Sequence, residues 1–221
     1  MKGYSSRDKL RFLREFRSYN KRIENIIKEE YSSKFAEKAS NMIKEFKLLL
    51  EEMPYIGGDE NPLTVTLTSS TRYLAVYLVL KRMGKDVSEI GKICYQYAEE
   101  YFKKNPHKIM SMDNPQVINY LKYLAAESKK HKYPEDYVYD FMEGEDFDFG
   151  LNFTECAICK FFHQKGADEF IPYICATDIP ESKYSNLGLH RTGTLAEGYS
   201  KYDFRYKKGR KTKIASKVIK N

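Results

Sequence analysis

Phe147-Asp148-Phe149-Gly150-Leu151-Asn152-Phe153-Thr154-Glu155-Cys156 is the stretch on which the fold turns. Phe147, Phe149 and Leu151 recur at every second position, the period of a half-buried strand. Thr154 is expected to cap a helix that follows, setting Cys156 in its first turn and Cys159 one turn later. Unpaired amides and the helix dipole favour a thiolate there. A small thiol buried for packing is the competing reading for Cys156, and for Cys159 packing is the preferred one.

Upstream, the same period holds for Tyr137, Tyr139 and Phe141, with Glu143-Gly144-Glu145 as a turn, so the two runs predict a β-hairpin. Before Pro134 the period is near 3.6. Leu10, Leu13, Phe16, Ile23, Ile26, Ile27 and Tyr31 mark one long amphipathic helix, and Phe35 to Leu50 a second. Gly57-Gly58-Asp59-Glu60-Asn61 breaks the pattern. A helix apolar on most sides is predicted from Leu63 to Met83, with Gly84 as its carboxyl cap. Asp86 and Glu89 form a capping box for a helix running to about Lys104, and a shorter helix is expected over Pro115 to Lys130.

Downstream, Leu187 to Leu195 and Tyr202 to Tyr206 read as two more strands, completing a four-stranded antiparallel sheet. The fold class is therefore α+β: a helical N-terminal half packed against a C-terminal antiparallel β-sheet with helices. The expected organisation is a helical region over 1–133, an α+β region with the site over 134–208, and a basic tail over 209–221, all in one compact unit.

The 221 residues carry a formal charge of +7. Nine Lys or Arg and one acid lie between Lys201 and Asn221, so this end carries +8 and the other 200 residues −1. Without a groove-reading motif, a solvated tail and no nucleic-acid partner are expected. The longest apolar run, Leu74 to Leu80, falls far short of the ~20 residues of a bilayer helix. No secretory leader opens the chain, so a cytoplasmic protein with no membrane partner and four thiols is expected. The amphipathic helices are compatible with a homo-oligomer.

Cys175 and Asp178 follow the Cys156 helix, and the expectation is that they face the same cavity as the other thiols. Asp178 would orient a water or accept a proton, or else cap a helix. Cys156-x-x-Cys159 with Cys175, Asp178 or His163 resembles half a zinc site, but no second pair completes it and no metal is expected. Alternation sends His190 and Arg191 to opposite faces of their strand. A guanidinium can grip a carboxylate with two parallel bonds, so Arg191 is the favoured anchor, and His190 is retained as an acid or base. His107 and His131 read as surface residues. No phosphate-cradling glycine loop occurs, so no nucleotide or other cofactor is expected.

Phe147-Asp148-Phe149-Gly150, Cys156, Cys175-Ala176-Thr177-Asp178, Arg191-Thr192-Gly193-Thr194-Leu195-Ala196-Glu197-Gly198 and Asp203-Phe204-Arg205 together form an ordered pattern. It resembles the L-2-amino-thiazoline-4-carboxylic acid hydrolase family, and the Asn61-Pro62 loop with its following helix extends the likeness over most of the chain. The family pattern carries a Cys before the Asp-Phe pair, where this chain has Tyr202. The resemblance implies hydrolysis of a small cyclic amidine carboxylate: water adds to the carbon between ring sulfur and nitrogen, the thiolate leaves, and N-carbamoylcysteine results. Catalysis is assigned on this basis to Cys156, Asp178 and Cys175, with Cys156 or an Asp178-bound water attacking. Substrate binding is assigned to Arg191, Thr194 and His190, Thr194 or backbone amides supporting the tetrahedral centre. The alternative is a small-molecule sensor of vinyl-reductase-like type that binds without turnover.

Overall fold

The computed structural model describes residues 3–106 and 114–219. The assignment of His107 to the surface falls outside them. Helix α1 (Ser6–Glu30) starts where the sequence signals it, with the Ser5 side chain accepting from the Asp8 amide and the Asp8 side chain accepting from the Ser5 amide. Its stripe of Phe12, Phe16, Ile23, Ile26 and Ile27 is buried, each such side chain contributing roughly 1.5–3 kcal/mol. The second expected helix is split into α2 (Ser33–Lys38) and α3 (Met42–Glu52) by a tightened turn at Ala39–Asn41. Ser40 and Asn41 are weak helix formers, and the break falls on them.

Helix α4 (Leu63–Arg82) is long and apolar enough, by length and composition, to cross a bilayer, yet Leu67, Leu74, Val76 and Leu80 lie fully inside the protein core. It ends at Gly84, whose φ of 83° only glycine adopts cheaply, and Lys85 N donates back to the Leu80 carbonyl. The Asp86–Glu89 capping box opens α5 (Val87–Lys104), as its sequence requires. Helix α6 (Pro115–Ser128) lies against the first strand.

The hairpin forms from β1 (Val138–Met142) and β2 (Phe149–Glu155). The remaining elements are α7 (Ala157–Gln164), α8 (Ile171–Ala176), α9 (Asp178–Tyr184), β3 (His190–Arg191), β4 (Tyr202–Tyr206) and β5 (Lys213–Ile214). The fold is α+β, but the sheet has five strands in the order β1-β2-β4-β3-β5 and is mixed, because β5 runs parallel to β3. The strand expected over Leu187 to Leu195 contracts to two residues: Gly188 turns left-handed at φ 58°, and Thr194 caps a short 3-10 turn.

The basic end is only partly solvated, which corrects the expected free tail. Ala215 N donates to the Arg191 carbonyl, and Ile214 is buried with Ile179 and Leu189. One continuous apolar cluster extends from Tyr4 through α4 and α5 to Phe153 and Tyr202, joining the helical half to the sheet.

Candidate functional site

The strand β2 runs through Thr154 to Glu155, two residues further than its sequence predicts, because Val138 and Glu155 still pair across the hairpin. Thr154 therefore caps nothing and donates to the Val138 carbonyl. Cys156 itself is the cap residue of α7, with extended backbone and no side-chain capping bond. The expected position of Cys156 in the first turn is corrected accordingly.

Between α4, α5 and the sheet lies a cavity of about 450 Å³. That volume falls in the usual range for small-molecule sites, ~300–1,000 Å³. Its sheet side carries Tyr137, Phe153, Tyr202 and Phe204. Opposite them, α4 presents Thr66, Ser69, Ser70 and Tyr73 at steps of three and four, so a hydroxyl-bearing stripe faces inward from an otherwise apolar helix.

Cys156, Cys175 and Asp178 line this one cavity, as the sequence led one to expect. The third sulfur, Cys159, stands behind them. Tyr202 joins the group, its hydroxyl 3.3 Å from the Cys159 sulfur and 3.2 Å from that of Cys175. All four cysteines are free thiols.

The electrostatics of the sulfurs differ from residue to residue. Cys159 is the acidic one, its pKa lowered by the hydrogen bond from Cys156 and by a second from Tyr202, against the opposing effect of burial. Cys156 is raised well above the ordinary thiol range by that same bond and by burial. Burial pushes Cys175 up to about 12, and the nearby Arg191 counters only part of this. Tyr202 is raised well above the ordinary phenol range by burial and keeps its proton. The Tyr202 hydroxyl thus bridges the Cys175 and Cys159 sulfurs, and with one proton it donates to one of them at a time.

Asp178 begins α9, where its side chain retains 28 % exposure toward the cavity. Burial lifts its pKa to about 6, Arg191 pulls it down and Glu181 pushes it up. Arg191 itself is only 2 % exposed and does not reach the cavity wall. Its Nη1 pairs with Asp178 and its Nη2 donates to the Cys175 carbonyl at 3.0 Å, so it braces both residues from behind.

The other two residues expected to bind substrate also lie off the cavity wall. Thr194 accepts from Glu197 N and donates to the Glu197 carboxylate at 2.9 Å. His190 Nε2 meets the Lys211 carbonyl at 3.2 Å. His131 is exposed, and His163 lies on the surface against Asp168. Among the described residues no group of three or more His, Cys, Asp or Glu is arranged to hold a metal.

The loop after Arg191 is clamped by Asp203, whose Oδ1 accepts from the amides of Thr192 at 2.8 Å and Gly193 at 3.1 Å. The Arg-Thr-Gly-Thr and Asp-Phe segments are thus one structural unit that holds Arg191 behind Asp178. The model of the L-2-amino-thiazoline-4-carboxylic acid hydrolase family matches residues 68–206, well over half of the chain and all of these segments.

The chain belongs to that family. Neither the curated proteins nor the solved structures contain a match to this member. The family match spans Arg72, Tyr73, Tyr97 and Tyr137, cavity residues that the sequence reading passed over along with Tyr19. The one local signal for them was polarity on α4, where Thr66, Ser69, Ser70 and Arg72 interrupt an apolar helix.

Proposed function

We propose that this protein opens a small cyclic amidine carboxylate of the 2-amino-thiazoline-4-carboxylate type, giving an N-carbamoyl amino acid. The observation that carries the proposal is Asp178: a carboxyl group with a pKa of about 6, open to a cavity whose wall also carries Arg72 and Glu181. A base with that pKa is largely ionised at neutral pH and still takes a proton readily.

Of the two expected nucleophiles, water activated by Asp178 is favoured over Cys156, because a thiol raised by burial is a poor attacking group. Water adds to the carbon between ring sulfur and nitrogen as Asp178 accepts its proton. The hydroxyl proton of the adduct passes to the ring nitrogen as the new carbonyl forms, the carbon–sulfur bond breaks, and the departing thiolate takes the proton that Asp178 holds, which regenerates the base. Arg191 acts as a positioning residue that keeps Asp178 turned and ionisable.

The test is to incubate the purified protein with 2-amino-thiazoline-4-carboxylate and titrate new free thiol. Release in the wild type and its loss in Asp178→Asn support the reading. Release undiminished in Asp178→Asn sinks the assigned base, and saturable binding without release would make the protein a sensor.

A further inference from the structure

Arg191 is turned away from the cavity, which leaves the substrate carboxylate without its expected cation. Arg72, on the α4 side, lines the same cavity. It also lines a second cleft of about 270 Å³, and Glu15 lines that outer cleft but not the cavity. The Arg72–Glu15 ion pair thus marks the boundary between the two spaces.

Glu15 engages Nη2 and is the one acceptor for Arg72 among the described residues. Among the described residues the buried Nε of Arg72 has no hydrogen-bond partner, and neither has the buried hydroxyl of Tyr19, a residue of the cavity wall. Tyr19, Tyr73 and Tyr97 all feel the Arg72 charge, and all three pack edge-to-face or tilted against one another. Burial raises Tyr19 and Tyr73 well above the ordinary phenol range, so both remain protonated donors. Three mutually packed tyrosines beside one guanidinium, with an unsatisfied phenol among them, lack only an acceptor, since buried donors without partners are costly.

We infer that Arg72 and Tyr19 form the carboxylate anchor of this cavity, with Glu15 as the competing ion that Arg72 releases when an acid binds. The inference rests on the proposed hydrolysis only for the identity of the acid. Nε and one terminal nitrogen present the parallel pair of donors that a carboxylate takes, and the Tyr19 hydroxyl adds a third. Glu15 is half-exposed, so water can solvate it after release.

The experiment measures equilibrium binding by calorimetry in an Asp178→Asn background, with 2-amino-thiazoline-4-carboxylate and, as the neutral probe, 2-amino-thiazoline without the carboxylate. Arg72→Gln is expected to weaken the acid roughly ten- to a hundredfold and to leave the neutral ring unchanged. Glu15→Gln is expected to tighten the acid, which a purely structural ion pair would not do. Tyr19→Phe is expected to weaken the acid severalfold without lowering the melting temperature, because it removes a hydroxyl that has no partner among the described residues.

Equal loss for both probes in Arg72→Gln, weaker acid binding in Glu15→Gln, or no binding of the acid at all would overturn the anchor. Thiol release by the wild type with KM unchanged in Arg72→Gln would overturn it too, and would leave the hydrolysis standing. Arg72-dependent acid binding in a protein that releases no thiol would support the anchor and remove the hydrolysis.

Discussion

Asp178 and Arg191 meet at the edge of the cavity with the carboxylate facing in and the guanidinium sealed behind it, 28 % and 1 % of their side chains exposed. The pair is asymmetric by design of the fold: one partner is reachable and the other is not. If Asp178 is the base, kcat/KM should rise with pH through about 6 and then level, since the ionised form is active. Arg191 lowers the Asp178 pKa, so Arg191→Gln should move this limb to higher pH. It should also cost about 3 kcal/mol of stability by stranding a partly buried carboxylate. A limb that stays put in Arg191→Gln would argue against Asp178 as its source.

Stability should carry the same signature. The folded-state pKa of about 6 lies above the ordinary 3.8, so the native protein binds this proton more tightly than the unfolded chain. The stabilisation is complete below about pH 4 and disappears as pH rises through 6. Subtracting the unfolding profile of Asp178→Asn from that of the wild type, by denaturant titration, isolates it; a flat difference would refute the raised pKa.

Cys159 should be the first of the four thiols to be alkylated, although it is not the one at the helix cap. Its pKa is lowered by Cys156 and Tyr202, whereas burial raises Cys94 far above the ordinary range. Tyr202→Phe deletes one of the two stabilising bonds and should slow iodoacetamide labelling of Cys159 severalfold at pH 7. Mass spectrometry of peptides over a time course reads the order directly.

Gly91 lies on α5, which packs against the helix bearing Cys175. A Cβ there would stand 2.0 Å from Cδ1 of Tyr173, a side chain of α8. Gly91→Ala should therefore cost about 1–3 kcal/mol by overpacking. Tyr173→Ala in the same chain should restore part of that, and thermal melts of the three variants decide the matter.

Ile214 tests the attachment of the basic end. It is 2 % exposed and packs on Ile179 and Leu189. Ile214→Ala should lower stability by about 2–5 kcal/mol, whereas a residue in a solvated tail would move it by less than ~0.5 kcal/mol.

The legible parts of the chain were those in which neighbours along the sequence are also neighbours in space. Ser5 with Asp8, Asp86 with Glu89, Gly84 after α4, and the alternation on both sides of Glu143-Gly144-Glu145 each complete their interactions within a few residues. The end of β2 was misread because Thr154 satisfies the cap rule locally, while Val138 from the other arm of the hairpin holds it extended. The β3–β5 pairing was invisible for a similar reason. It joins two-residue strands whose register depends on chain some twenty residues away.

The sequence by itself determined the α+β class, the helix boundaries set by caps, the hairpin, and the gathering of Cys156, Cys175 and Asp178 on one short segment of chain. Only the tertiary structure decided which cation faces the cavity and which sulfur is acidic. Charge and acidity are set by what surrounds a group in space, and the partners here, Glu15 for Arg72, Asp178 for Arg191 and Tyr202 for Cys159, come from separate elements.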